Sequence, residues 1–105
     1  MDSVAQGLAA CDRGARHDEV RDTVRVVRVL GVRHEHEGFL VAAAGRTLRV
    51  EDNVAITGII PLHRGTAIQL QGQLECNDDA IHWTHRDPAG RHIDGYVVVD
   101  GTTYR

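Results

Sequence analysis

The chain has 105 residues, 42% of them hydrophobic and 26% charged, with a formal net charge of −3. Those values describe one domain with a single core and exclude a disordered polypeptide. The acidic balance speaks against non-specific nucleic-acid binding, which draws its affinity from a basic face. Protonating all seven histidines would take the charge from −3 to +4, so charge-dependent behaviour is expected to change between about pH 7 and 5.5.

In chain order, Ser3 to Arg13 predicts a short helix capped by Ser3, with Val4, Leu8 and Cys11 on one face and Gly14 as its stop. The polar stretch Ala15 to Asp22 reads as a connector, so residues 1–22 form a helix and connector ahead of the strands. Thr23 to Leu30 is valine-rich and predicts a strand with Val24, Val26 and Leu30 on one face. His36 to Ala44 and Thr47 to Val50, joined by the turn at Gly45-Arg46, predict an antiparallel hairpin. Asp52 to Leu62 reads as a crossing segment with a helical turn around Val54 to Ile59.

Thr66 to Glu75 carries the clearest signal, because Ile68, Leu70, Gly72 and Leu74 alternate with Gln69, Gln71 and Gln73. That pattern is a half-buried strand with a polar outer face. Ala80 to His85 follows as a further strand, and Asp100-Gly101 between Tyr96–Val99 and Thr102–Tyr104 predicts a terminal hairpin within residues 94–105. The expected fold is mainly β: one domain over residues 1–105, a five-stranded OB-type Greek-key barrel with an N-terminal helix and a C-terminal hairpin. An open β-sandwich is the rival.

Cys11 and Cys76 stand alone, without a CxxC spacing, and read as free thiols, a disulfide being the alternative. The first ten residues lack the charged start and apolar run of a signal peptide, and no stretch approaches membrane-span length. The expectation is a cytoplasmic protein with no membrane partner.

The run from His82 to Gly95 concentrates three histidines, two aspartates and the only tryptophan. Along a strand, His82 and Thr84 would face one side, and Trp83 and His85 the other. Asp87-Pro88 opens a turn and Gly90 permits positive φ, so His92 can fold back toward the strand end. Imidazoles beside a carboxylate are a common transition-metal donor set, although the spacing matches no signature such as HExxH. The plain alternative is a set of hydrogen-bonding loop residues with Trp83 plugging the core. A second patch, Arg33-His34-Glu35-His36-Glu37, is either an HxH pair on one strand face or an exposed charged loop. His17 and His63 read as surface residues.

The VxRVL of Val26 to Leu30, the HxxF of His36 to Phe39, the HWTHxDPxGRHxDG of His82 to Gly95 and the close at Asp100 to Tyr104 resemble the bacterial domain-of-unknown-function family 3465. The resemblance is drawn from the leading helix onward. It implies that His36, His82, His85, Asp87 and His92 belong to the family pattern and that His17, His34 and His63 do not. Where the family carries a His-Asn pair after the third strand, this chain has Asp52-Asn53; an aspartate can still ligate a metal, less softly. The family has no established activity.

Three functional readings follow. The first is a divalent transition metal (zinc, copper, nickel or iron) held by His36, Asp52, His85 and His92, with His82 and Asp87 as candidate catalytic residues. With an open coordination position, such a site would hydrolyse a small-molecule or phosphodiester substrate. The second is a non-catalytic module for single-stranded nucleic acid or a protein partner. Nucleic acid ranks lower, since Phe39, Trp83, Tyr96 and Tyr104 are the only aromatics. A metal-free histidine network that locks the terminal hairpin is a third reading.

Overall fold

The computed structural model describes all 105 residues. In chain order it has α1 (Val4–Asp12), β1 (His17–Arg33), β2 (His36–Ala43), β3 (Arg46–Asn53), α2 (Val54–Thr57), β4 (Ala67–Glu75), β5 (Ala80–His82), β6 (Tyr96–Val99) and β7 (Thr102–Tyr104). The strands form one sheet in the order β1-β2-β3-β5-β4-β6-β7, and β1 pairs again with β4. Five strands therefore close into a ring, in place of the two sheets of a sandwich. Only the β3–β5 pairing is parallel.

The ring needs a first strand long enough to serve two neighbours, and β1 is that strand. His17–Arg25 pairs with β4 and Arg25–Arg33 with β2. The expected connector at Ala15 to Asp22 is thus mostly strand. Its apolar signal is a single inward residue, Val20. Two register shifts against β2 place extra residues at Val27 and Leu30. Such bulges break strict alternation, so Leu30, expected on one face with the buried Val24 and Val26, is exposed.

The apolar stripe of β4 packs inward as the alternation predicts, with Ile68, Leu70 and Leu74 fully buried beside Phe39, Val41, Leu48, Val50 and Ile81. The outer edge of β4 is shared: β6 pairs with Gln69–Gln71 and β5 with Gln73–Glu75. Between them sits Gly72, where a Cβ would stand 2.7 Å from the His82 carbonyl oxygen. β5 stops at His82, short of the expected His85, because Trp83 takes a φ of 59° that no strand accommodates. Asp100 and Gly101 both have positive φ, the geometry a two-residue hairpin turn demands.

The two ends of the ring are closed differently. At one end α1 is started by a capping box of Ser3 and Gln6 and buries Val4, Gly7 and Leu8 against β1 and β4. Cys11 and Cys76 are joined in a disulfide, which corrects the free-thiol expectation. The two residues meet because α1 runs back across the start of β1, where His17 pairs with Glu75. At the other end lie the start of β2, the ends of β3 and β5, and α2. No helix is long and apolar enough to cross a membrane.

Candidate functional site

The polar end of the ring carries a pocket of about 410 Å³. Its walls include His36 from β2, Glu51 and Asn53 from β3, Ile56 from α2, His82 from β5, and Trp83, His85 and Asp87 from the segment beyond. Four residues singled out from sequence, His36, His82, His85 and Asp87, therefore share one cavity.

Two of the imidazoles are oriented by backbone carbonyls. His36 Nδ1 lies 3.0 Å from the His34 carbonyl oxygen and His85 Nδ1 lies 2.7 Å from that of Arg86. A carbonyl only accepts, so each Nδ1 carries the proton and each neutral ring keeps its lone pair on Nε2. The third ring, His82, has a buried Nε2 with no hydrogen-bond partner, which is an uncommon condition for a buried polar atom. His85 is itself buried and packs on Trp83 at a centroid distance of 5.4 Å.

Asp52 is fully buried. One carboxylate oxygen accepts from the Thr84 hydroxyl at 2.8 Å and the other from the Thr57 hydroxyl. Burial pushes its pKa up, while the two threonine bonds and the nearby His85 and His36 pull it back. Glu37, its register partner on β2, is buried too and accepts the Ile60 backbone N–H at 2.8 Å. Burial raises the Glu37 pKa as well, and the neighbouring Asp52 adds to the rise. Asp52 thus stands behind the imidazoles and ties α2 to the segment after β5.

Asp87 has a different occupation. Its oxygens accept backbone N–H groups from Ala89, Arg91 and His92 at 2.8–2.9 Å. Those bonds, led by Ala89, lower its pKa and commit its lone pairs to shaping the loop.

His92 does not reach the pocket. It stacks on Trp83 with centroids 4.3 Å apart and planes 11° from parallel. Its Nε2 lies 2.6 Å from Gln73 Oε1 and 3.2 Å from Glu19 Oε1, and its Nδ1 lies 2.8 Å from the Ile93 carbonyl oxygen. Trp83 is correspondingly half-buried over the ring's outer face rather than plugging its core. His17 and His63 are exposed, as expected. Of the second patch, Arg33 to His36 is exposed and Glu37 turns inward.

Glu37, Thr57 and Thr84 were not among the site residues expected from sequence. Glu37 was discoverable, because Phe39 and Val41 set an inward period of two that includes it. The threonines carry no such signal, since only the tertiary fold brings them to Asp52.

No group of three His, Cys, Asp or Glu side chains has its donor atoms gathered closely enough to hold a metal ion as the side chains stand. The three rings line a common cavity without meeting at one point.

A small β domain with an imidazole-lined pocket at one end of a strand ring is the class that this geometry defines. More particularly, the chain belongs to the family described as protein of unknown function DUF3465, whose profile matches residues 16–105. The matched region starts after α1, so the leading helix lies outside it. No curated protein matches the chain.

Proposed function

We propose that the domain binds a divalent transition metal through His36, His82 and His85 and uses it to activate water against an ester, a phosphodiester included. The observation that carries the reading is the shared pocket of three imidazoles, two of them with Nδ1 held by a carbonyl and the third with an unpartnered Nε2. Metal-ligating histidines are ordinarily oriented in this way through the other ring nitrogen. The ligand set differs from the one expected from sequence: His82 replaces His92, and Asp52 supplies compensating negative charge instead of a bond. Asp87 and Asp52 have their oxygens engaged in hydrogen bonds, so the three imidazoles are the proposed donors. An ion held by three protein donors would keep a position for water and would supply the Lewis acidity that activates it. In such a hydrolysis the water oxygen would form the new bond to the ester's central atom, the bond to the leaving oxygen would break, and one water proton would end on that oxygen.

The ring order 1-2-3-5-4, with α2 between β3 and β4, supports the finer reading of an OB-type barrel. The Cys11–Cys76 bond favours an oxidising compartment over the cytoplasm.

Cobalt(II) titration of tag-free protein tests the metal reading. The expected result is one equivalent bound with the intense visible bands of a tetrahedral site, absent in His85→Ala. Weak octahedral bands that are unchanged in that variant would refute it.

A further inference from the structure

We propose that a second pocket beside the imidazoles is an anion subsite, in which the Arg33 guanidinium holds a non-reacting phosphate of the substrate. This deepens the hydrolase reading and rests on it for the position of the scissile ester.

The second pocket, about 440 Å³, shares His36 and Glu51 with the first and continues along the β1–β2 hairpin past Arg33, His34 and Leu30. A ligand that reaches the imidazoles can therefore extend across His36 without leaving the protein surface. The hairpin is shaped for this by the bulges at Val27 and Leu30. Bulges commonly re-aim side chains beside sites, and here they bring Leu30 to the pocket wall at 47% exposure.

Charge decides what the pocket accepts. The four ion pairs of the chain involve Arg46, Arg49, His92 and Arg105, so Arg33 is left without an acidic partner. Guanidinium is charged at every physiological pH, and its planar fork matches phosphate oxygens two at a time. Glu51 is the one carboxylate in this wall. It is held by Arg49 at 3.0 Å, which offsets its repulsion of an anion and keeps it from Arg33. Leu30 on the rim offers an apolar surface to the carbon framework between two polar groups. The chemical class that fits both pockets is a phosphoester with a second phosphate next to the scissile one. A nucleic-acid strand and a small diphosphorylated metabolite share that chemistry.

The test is an NMR titration of metal-free, tag-free protein, so that it does not depend on the metal. Inorganic phosphate should shift the Arg33 side-chain Nε–H and the backbone amides of His34 and His36. Arg33→Gln should weaken binding at least tenfold with the rest of the spectrum unchanged, and His85→Ala should leave it intact. A thymidine dinucleotide with a 5′-phosphate binding more tightly than inorganic phosphate assigns the subsite to a strand; equal binding assigns it to a small phosphoester. Shifts centred away from Arg33, or a titration indifferent to Arg33→Gln, would overturn the subsite. Zinc binding in Arg33→Gln, measured separately, should match wild type; if no variant binds zinc while phosphate still titrates, the metal reading fails and the subsite stands.

Discussion

The two ends of the strand ring are built on opposite principles. At the α1 end, closure is apolar and covalent: Val4 and Leu8 enter the core and the Cys11–Cys76 bond fastens the helix to the end of β4. At the α2 end, closure is polar: Asp52 and Glu37 are buried, and three imidazoles line an open pocket. Burying carboxylates costs stability unless hydrogen bonds compensate, and Asp52 and Glu37 obtain theirs from Thr57, Thr84 and the Ile60 N–H. The contrast teaches a division of labour. One end closes through apolar packing and a disulfide, and the other gathers polar groups around an open pocket.

The largest expected effect breaks the first end alone. Removing the disulfide by Cys11→Ser with Cys76→Ser opens a constraint spanning 65 residues, worth about 4 kcal/mol by loop-closure entropy. Thermal melts should show a drop of roughly 15 °C or more for a domain of this size. Cobalt binding well below the melting point should be unaffected. Loss of the site in a protein that is still folded would show that the two ends are not separable.

A smaller effect breaks the second end. At Gly95 an added Cβ would overlap the Trp83 carbonyl oxygen and lie 2.5 Å from that of Gln71. Gly95→Ala must push the loop off β4, which costs about 2 kcal/mol in denaturant melts by the usual scale of overpacking. The loss of cobalt affinity should be out of proportion to that cost, because the loop carries His85.

The smallest effect sharpens the comparison, because the stabilising end has a polar flaw of its own. Asp18 is held above the usual carboxylate range by burial first, then by the neighbouring Asp2 carboxylate. A raised folded-state value means that full stability exists below the unfolded pKa, about 4, and is lost as pH rises through the folded one. Asp18→Asn should therefore raise the melting temperature slightly at pH 7 and leave it unchanged near pH 3.5.

Much of this division was legible before the fold. The glutamine-alternating β4, the Asp100-Gly101 turn and the cap of α1 are local signals, and local chemistry decides them. The start of β1 was not legible, because a strand with polar outward residues and one inward valine looks like a loop until its partner β4 is known. The disulfide was hidden for a similar reason: 65 residues separate cysteines that only the ring brings together. From the histidine run, His82, His85 and Asp87 share a pocket with His36 of β2. Strand alternation failed beyond His82, where the positive φ of Trp83 ends β5. That turn sends His92 to Glu19 and Gln73 on the outer face, away from the pocket.

Metal stoichiometry in two single variants tests the central claim most directly. Tag-free wild type, His85→Ala and His92→Ala are dialysed against zinc and analysed for bound metal. The proposed metal site predicts one zinc per chain in wild type and in His92→Ala, and none in His85→Ala. Substoichiometric zinc indifferent to His85→Ala, or zinc lost only in His92→Ala, would contradict a functional end built on His36, His82 and His85.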